Sequence, residues 1–216
     1  MLAMESGVGR QRVVLVATSN KGKLRDFAAV AAEHGIQIEG IPDFANIPLA
    51  KEDAPTFEAN AAKKAQHYSR FAESRIILAD DSGLKVDALN GAPGVHSARY
   101  AAAESGNTHA NSSDHENNQR LLREMANIEE GQRTAAFVCE IAAALNGRLL
   151  AVFHGEVDGA ILHSPRGEGG FGYDPLFYIS DLRKTFAELS PGEKTSISHR
   201  GQAFRKFLGW YEKNGS

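Results

Sequence analysis

Cysteine is almost absent from this sequence of 216 residues, and that scarcity limits the kinds of protein it can encode. The single cysteine, Cys139, excludes an intramolecular disulfide, and its place inside an apolar run predicts a buried thiol in a reducing compartment. No apolar run reaches the roughly 20 residues that a membrane-spanning helix needs. Acidic residues outnumber basic ones, 27 to 24, which disfavours a nucleic-acid protein that depends on a broad basic surface. We therefore expect a cytoplasmic protein that binds neither nucleic acid nor a membrane.

The first residues also lack the features of a secretion signal. Residues 1–11 contain Glu5, Gly7 and Gly9 but no apolar segment, so we expect a disordered extension rather than a signal peptide. Residues 12–213 have an ordinary globular composition, and no internal repeat, low-complexity tract or linker divides them. We therefore predict a single α/β domain in which two lobes flank a cleft.

Apolar runs and helical periodicities alternate along the chain and predict its elements. Strands are expected at residues 13–17, 36–41, 76–79 and 176–179, and a long hairpin at 134–145 and 148–162. The hairpin is favoured by Asn146-Gly147, because this dipeptide suits a two-residue hairpin turn. Helices are expected from Leu24 to Gly35, over 56–71 and 116–126, and from Thr195/Ser196 onward, with a surface loop at 101–115.

Two adjacent acids, Asp80 and Asp81, directly follow the predicted strand at 76–79. Adjacent carboxylates repel each other, and unpaired charges beside a core are unfavourable, so such a pair needs a cation or a hydrogen-bond network. A hard divalent ion, most simply Mg²⁺, is the natural candidate because it prefers oxygen ligands. The alternative is an exposed turn, since Asp-Asp-Ser-Gly is ordinary turn composition. Further along, Arg99 carries a cation back toward the acids.

A second candidate site lies where the first strand meets the first helix, in the motif Thr18-Ser19-Asn20-Lys21-Gly22-Lys23. Free backbone N–H groups and the helix dipole make such a terminus an anion site. Lysine is otherwise unfavourable near a helix N-terminus, so two lysines there indicate a negatively charged ligand. The motif is not a P-loop, because Leu24 follows it and Ala17 replaces the first glycine. The alternative is a capped helix whose lysines are solvated.

A glycine-rich segment presents an aromatic group and an acceptor, which suit a planar base: Phe171, Gly172, Tyr173 and Asp174. Its G-x-G-x-x-G spacing is not a dinucleotide fingerprint, because Pro175 follows instead of a helix. The alternative is a tight turn with a core phenylalanine.

Three potential cations, Lys194, His199 and Arg200, lie just before and at the start of the last predicted helix. They suit a phosphate or a keto oxygen, although charges flanking a helix at the surface are the alternative. Acids for a metal, a cationic cradle and an aromatic–acid loop together favour a nucleotide with a polyphosphate tail.

Six blocks, in family order and spanning nearly the whole chain, resemble the inosine/xanthosine triphosphate pyrophosphatases, which hydrolyse deaminated purine nucleotides. The blocks are Ala17-Thr-Ser-Asn-Lys-Gly-Lys23; Thr56-Phe57 with Asn60-Ala61 and Lys64; Ala79-Asp-Asp-Ser-Gly-Leu84; Gly91-Ala-Pro-Gly94 with Ser97-Ala-Arg-Tyr100; Gly169-Gly-Phe-Gly-Tyr-Asp-Pro175; and Glu193-Lys194 with Ser198-His-Arg-Gly201. One departure is Ala54, where a glycine is usual.

The resemblance implies an elongated mixed α/β sheet with a central cleft, a homodimer and Mg²⁺ dependence. It implies that Asp81 is the general base and a metal ligand, and that Glu52 lies near the metal, beside the helix lysine Lys64. It also implies that residues 18–23 hold the phosphates and Ser82 touches substrate. The groups implied to bind nucleotide and base are Phe171, Gly172, Tyr173, Asp174, Lys194, His199 and Arg200.

The implied reaction is attack of water at the α-phosphorus of ITP, dITP or XTP, which expels pyrophosphate and removes non-standard purines from the nucleotide pool. Donors such as Arg200, His199 or a backbone N–H near Phe171 would meet the 6-keto group, which adenine lacks. Two alternatives are a Maf-like pyrophosphatase acting on modified pyrimidine nucleotides and a non-catalytic nucleotide sensor.

Overall fold

A mixed seven-stranded β-sheet runs through the computed structural model, which describes residues 12–72, 74–104 and 111–214. Its strands are β1 (Arg12–Val16), β2 (Ile36–Gly40), β3 (Ile77–Val86), β4 (Thr134–Leu145), β5 (Arg148–Ile161), β6 (Phe177–Ile179) and β7 (Lys184–Thr185). The spatial order is β2-β1-β3-β4-β5-β6-β7. Strand β1 runs parallel to β2 and β3, and the other pairs are antiparallel. The extension predicted at residues 1–11 lies outside the described residues.

Helices cover both faces of this sheet: α1 (Lys21–Ala32), α2 (Phe57–Tyr68), α3 (Tyr100–Glu104), α4 (Asp114–Glu124), α5 (Pro191–Ile197) and α6 (His199–Asn214). On one face, Leu78 belongs to a buried cluster with Phe27 of α1 and Phe204 of α6. On the other face, Ala79 belongs to a cluster with Ala61 of α2. None of the helices in the described ranges is long and apolar enough to cross a membrane.

A further core cluster forms the second lobe, around Leu84 of β3, Phe137 of β4, Phe177 of β6 and Leu121 of α4. The predicted α/β architecture with a central mixed sheet and two lobes is therefore confirmed. Asp80 and Asp81 lie on β3 between the residues of the first lobe, Leu78 and Ala79, and Leu84 of the second. The acidic pair consequently lies where the two lobes meet.

Strand β3 is longer than the predicted strand at 76–79, and the alternative interpretation, an exposed turn at the acids, is wrong. It continues through Asp80 and Asp81 to Val86, in unbroken antiparallel register with β4. Gly83 is needed there because a Cβ at this position would overlap the Ser97 hydroxyl. That hydroxyl accepts a hydrogen bond from the Leu84 amide at 2.9 Å, so the segment packed on the strand replaces the turn.

The long hairpin is confirmed, with β4 and β5 joined by Asn146-Gly147. Both turn residues have a positive φ, 49° for Asn146 and 80° for Gly147. Such a turn matches the right-handed twist of the two strands, which is why this dipeptide predicted it correctly.

Two predicted boundaries are wrong. The last helix does not start at Thr195/Ser196: a separate helix, α5, ends at Ile197, and α6 begins at His199 after Ser198, whose ψ of 150° is extended. The predicted surface loop at 101–115 contains α3 and the first residues of α4, although residues 105–110 lie outside the described part of the chain.

Candidate active site

Asp80 and Asp81 point to opposite faces of the sheet, although they are adjacent in sequence. Side chains alternate along a strand, and β3 has no bulge at this point. Asp80 faces the side covered by α1 and α6, where it contacts Lys23 and Arg200, whereas Asp81 faces α2, where it contacts Lys64. The two carboxylates therefore belong to two separate charge clusters, one on each face of β3.

The cluster around Asp80 is made of cations. Its Oδ2 atom lies 2.8 Å from Lys23 Nζ and 3.8 Å from Arg200 Nε, and it accepts a hydrogen bond from the Ser82 hydroxyl at 3.2 Å. Arg200 also donates to Ser82 Oγ at 3.0 Å and to Asp26 at 2.7 Å. Burial alone would raise the pKa of Asp80, but the charges of Lys23 and Arg200 outweigh it and hold that pKa well below its usual range. Asp80 is therefore ionised throughout the physiological range of pH.

The cluster around Asp81 has one cation between two carboxylates. Lys64 Nζ lies 3.1 Å from Asp81 Oδ1 and 3.1 Å from Glu52 Oε2. Burial opposes the charge on Lys64, but Asp81 and Glu52 outweigh burial and raise the pKa of this lysine. Burial raises the pKa of Asp81 against the opposing charges of Lys64 and Lys23. Among the described residues, the buried Asp81 Oδ2 has no hydrogen-bond partner.

The loop that carries Glu52 is fixed by α2 and by Arg99. Asn60, fully buried on α2, accepts a hydrogen bond from the Ala54 amide at 2.9 Å and donates to the Ala54 carbonyl at 3.3 Å. Arg99 donates to the Glu52 carbonyl at 3.3 Å, so this cation lies beside the loop that carries Glu52. Ala54 does not have a positive φ, so alanine fits where the family usually has glycine. Thr56 caps α2 by accepting from the Ala59 amide.

The N-terminus of α1 is capped, as its sequence predicted. Asn20 Oδ1 accepts hydrogen bonds from the amides of Gly22 at 2.8 Å and Lys23 at 3.2 Å, and Thr18 Oγ1 accepts from the Asn20 amide. The Asn20 side chain thus takes two of the N–H groups that were expected for an anion. Ser19 and Lys21 are exposed beside them.

In the glycine-rich loop, the Phe171 ring lies against the cations Lys194 and Arg200. Asp174 Oδ2 accepts hydrogen bonds from the Phe171 amide at 2.8 Å and from Lys194 Nζ at 2.5 Å. The Phe171 ring lies 4.6 Å from Lys194 Nζ and 5.5 Å from the Arg200 guanidinium carbon. A Cβ added to Gly22 would lie 3.0 Å from the same ring, so the loop reaches the start of α1.

Hydrogen bonds with neighbouring residues fix the position of this loop. Asp114 Oδ2 accepts a hydrogen bond from the Gly172 amide at 2.7 Å, and Asn118 donates to the Gly172 carbonyl at 3.0 Å. Tyr173 is buried in the core of the second lobe and donates to the Ser97 carbonyl. The backbone N–H groups of Phe171 and Gly172 already have carboxylate acceptors, Asp174 and Asp114.

His199 begins α6 directly over the sheet. Its ring stacks on Phe137, with centroids 4.9 Å apart and planes 14° apart. Burial, followed by the charges of Arg200 and Lys194, lowers the pKa of His199 well below its usual value, so the imidazole is neutral. Gly155 of β5 allows this approach, because a Cβ there would overlap the His199 carbonyl and come within 2.7 Å of the Ala203 amide. His199 Nδ1 and Arg200 Nε are both buried without a hydrogen-bond partner among the described residues.

The structure therefore links several predicted site residues to the acids of β3 through charge and ring contacts: Lys23, Glu52, Lys64, Ser82, Phe171, Asp174, Lys194 and Arg200. Ser19, Asn20 and Lys21 are exposed at the start of α1, Gly172 contacts α4, and Tyr173 is buried in the second lobe. The structure also shows three residues that sequence reasoning missed: Asp26, Asn60 as the loop clamp, and Asp114. A signal existed for Asn60, which shares one helical face with Thr56 and Lys64. Asp26 and Asp114 have no local signal, since their partners are distant in sequence.

A divalent cation fits beside Asp81. The described residues contain no group of three or more His, Cys, Asp or Glu side chains arranged to hold a metal. Mg²⁺ does not need such a cage, because it is usually held by one or two carboxylates together with substrate phosphates. Asp81 and Glu52 supply two carboxylates, and the unpartnered Asp81 Oδ2 is an oxygen that lacks a cation or donor.

Comparison with known proteins agrees with this geometry. A dITP/XTP pyrophosphatase of Geobacillus kaustophilus is 48% identical over 193 residues, covering 89% of this chain and 91% of that protein. A dITP/XTP pyrophosphatase of Geobacter sulfurreducens is 46% identical, covering 91% of this chain and 96% of that protein. The solved structure of a HAM1 protein from Coxiella burnetii matches with a TM-score of 0.79 and 37% identity, covering 94% of this chain and 99% of that one.

The resemblance read from the six sequence blocks is thereby confirmed at the level of family and fold. The profile of the Ham1 family matches residues 14–210, which include every predicted site residue. With a family profile matched over nearly its whole length, and relatives and solved structures covering about nine-tenths of it or more, this chain belongs to the Ham1 family.

Proposed function

We propose that the chain hydrolyses the triphosphates of deaminated purines, dITP, ITP and XTP, to the nucleoside monophosphate and pyrophosphate. The observation that carries the proposal is the pair of charge clusters on the two faces of β3. A buried carboxylate with an unpartnered oxygen, Asp81, lies one residue from a carboxylate that holds Lys23 and Arg200. Relatives that are named dITP/XTP pyrophosphatases support the choice of substrate.

We assign the proton transfer to Asp81. A water molecule attacks the α-phosphorus, its proton passes to the Asp81 carboxylate, and the bond from the α-phosphorus to the bridging oxygen breaks. An ordinary aspartate, with a pKa of about 3.9, is a weak base at neutral pH. Burial raises the pKa of Asp81 and so makes it a better acceptor.

The remaining charged groups act on the triphosphate. Lys64 lies between Asp81 and Glu52, and Lys23 lies at the start of α1, so both are placed to offset negative charge on the phosphates. Mg²⁺, held by Asp81 and Glu52, would neutralise phosphate charge and lower the pKa of bound water. Ser82 donates a hydrogen bond to Asp80 and accepts one from Arg200, so it links these two residues on the face of β3 that α1 and α6 cover.

We assign recognition of the base to Arg200 and His199. Arg200 Nε and the neutral His199 Nδ1 are buried polar atoms that lack partners among the described residues. Hypoxanthine and xanthine offer a 6-keto acceptor and an N1–H donor, whereas adenine reverses both. An adenine at this position would leave a buried donor such as Arg200 Nε unpaired, and such a mismatch discriminates by about 10⁴-fold or more. The Phe171 ring, between Lys194 and Arg200, is the group on which we expect a base to stack.

The test is pyrophosphate release from a panel of XTP, dITP, ITP, GTP, ATP and modified pyrimidine triphosphates, with Mg²⁺ or with EDTA. We expect rapid Mg²⁺-dependent release from the first three and at least about 10⁴-fold less from ATP. Preference for modified pyrimidines would support a Maf-like enzyme, and binding without turnover would support a sensor. The homodimer and the cytoplasmic location stay predictions; sedimentation of the purified chain tests the first and fractionation of its source cells the second.

A further inference from the structure

We infer that Asp80 is not a metal ligand but a positioning residue, whose carboxylate holds Lys23 of α1 toward the substrate phosphates and Arg200 of α6 toward the base. The inference rests on the proposed function and deepens it, because it separates the roles of two neighbouring acids. Sequence alone offered Asp80 and Asp81 together as a metal site, since both follow the same apolar run.

The first support is the position of Asp80 in the sheet. It is 4% exposed and lies on β3, which pairs along its whole length with β4, opposite Ile141. A carboxylate on a central strand is one of the most rigidly placed groups that the fold offers. Lys23, in contrast, is a side chain with four rotatable bonds on the first turn of α1, where the helix dipole disfavours its charge. A fixed anion at 2.8 Å holds that ammonium group in one place.

The second support is what Asp80 has already bound. Its Oδ2 atom meets Lys23 Nζ, the Ser82 hydroxyl and, at 3.8 Å, Arg200 Nε. A metal at this oxygen would have to displace Lys23 and would leave Arg200 buried beside a second positive ion. Asp81 lies on the other face, where its Oδ2 has no partner among the described residues. The cation therefore belongs with Asp81.

The third support is that the held cations keep unused donors. Lys23 has three N–H donors, and among the described residues Asp80 is its ion-pair partner, while its side chain is 19% exposed. Arg200 Nε is buried without a hydrogen-bond partner in the described part of the chain. Asp80 thus fixes both cations while some of their N–H donors stay available. Arg200 Nη1 also donates to Asp26 at 2.7 Å.

The test is the binding of pyrophosphate in EDTA, measured by calorimetry for the wild type and for Asp80→Asn. If Asp80 were simply an acid near the phosphates, removing its charge would strengthen anion binding. We expect the reverse, a weakening of about tenfold, which is the loss of one charge-assisted hydrogen bond at the anion. In a Lys23→Met background, Asp80→Asn should have a smaller effect than in the wild type, because the residue acts partly through Lys23.

A second measurement separates the acids. Binding of Mn²⁺ alone, followed by electron paramagnetic resonance, should be unchanged in Asp80→Asn and weakened by more than about tenfold in Asp81→Asn. Equal or tighter pyrophosphate binding by Asp80→Asn, or loss of Mn²⁺ binding in this variant, would overturn the inference.

Should Asp80→Asn fail to fold, Ser82→Ala cuts the same network more gently and should weaken metal-free pyrophosphate binding while leaving Mn²⁺ binding intact. Unchanged pyrophosphate binding in Ser82→Ala would then overturn the inference. Neither assay requires turnover, so a failure here is distinct from failure of the proposed reaction, which the nucleotide panel tests on the wild type.

Discussion

The Asp81 carboxylate is buried and only partly hydrogen-bonded, and these two features raise its strength as a base. Its carboxylate has Lys64 on one oxygen and no partner among the described residues on the other. A buried group of this kind destabilises the fold when charged, which is why burial raises its pKa. The same burial makes the residue a stronger base, so the feature that favours activity at this position lowers the stability of the fold.

Asp81→Asn tests this conflict. We expect pyrophosphate release to fall by about 10³-fold or more, the contribution of a general base, while the free energy of unfolding does not fall. Steady-state assays with XTP and urea denaturation measure the two quantities. Asp53→Asn is the matched control, because Asp53 is the exposed neighbour of Glu52, paired with Lys63 at 2.7 Å, and should keep full activity. Near-normal turnover by Asp81→Asn would show that Asp81 is not the general base.

His199 makes stability depend on pH. The pKa of the buried imidazole is lowered well below its usual value, whereas in the unfolded chain it titrates near about 6.5. Below that pH the unfolded chain binds one more proton than the folded one, so the fold loses up to about 1.4 kcal/mol per pH unit as pH falls.

Replacement of His199 by phenylalanine, which keeps the stack on Phe137, should remove this contribution. Urea unfolding at several pH values between about 7 and 5 should therefore show a shallower decline for His199→Phe than for the wild type. Equal slopes in the two proteins would show that His199 binds a proton as readily in the folded chain as in the unfolded one, and the lowered pKa would be wrong.

At the scale of elements, the start of α6 depends on a glycine in a different element. Gly155 of β5 lies under the His199 carbonyl and the Ala203 amide, so a side chain there would push the helix off the sheet. We expect Gly155→Ala to lose about 1–3 kcal/mol of stability, the usual effect of overpacking, and to lose activity because His199 and Arg200 move.

Gly40→Ala is the control for that substitution. Gly40 also lies in a strand, β2, but nothing lies within 4 Å of its added Cβ. Because alanine restricts the unfolded chain more than glycine does, Gly40→Ala should be neutral or stabilising by up to about 1 kcal/mol. Urea denaturation and XTP turnover of both variants check the pair, and equal stability of the two would contradict the assigned contact.

Elements with a local cause could be predicted from sequence, and elements with a distant cause could not. The hairpin at Asn146-Gly147 depends on neighbouring residues and was predicted correctly. The cap of α1 at Asn20 is also local, and a capped helix was one of the two interpretations of its motif. The extension of β3 through Asp80 and Asp81 depends on Lys23, Lys64 and Ser97, which are far away in sequence. No window around the acids contains those partners.

Helix α5 was missed even though its signal is local. Ser190 and Glu193 form a capping box, and Pro191 occupies the first turn, so the pattern was readable. For the site, the resemblance supplied the positions of the residues, but not their division between two faces of the sheet. That division follows from the two-residue period of a strand, which applies only once β3 is known to continue.

At the scale of the whole molecule, the site needs both lobes. The groups proposed to bind the phosphates come from α1, α2 and β3, whereas Phe171 comes from the glycine-rich loop, Lys194 from α5 and Arg200 from α6. The Phe171 ring lies beside the start of α1 at Gly22, so the proposed base site would adjoin the proposed phosphate site. The phosphate nearest the sugar should therefore lie between the lobes, beside the acids of β3.

This arrangement predicts which bond breaks. If the base stacks on Phe171 and Asp81 activates the water, as proposed, we expect attack at the α-phosphorus, so that the two distal phosphates leave together. Hydrolysis of XTP in water labelled with oxygen-18 should place the label in xanthosine monophosphate and none in pyrophosphate, as mass spectrometry of the separated products can show. A parallel reaction with Asp81→Asn measures how much label enters the products without the catalysed reaction. Label in pyrophosphate or in inorganic phosphate would mean that water attacks a distal phosphorus, and the proposed placement of the triphosphate between the lobes would be wrong.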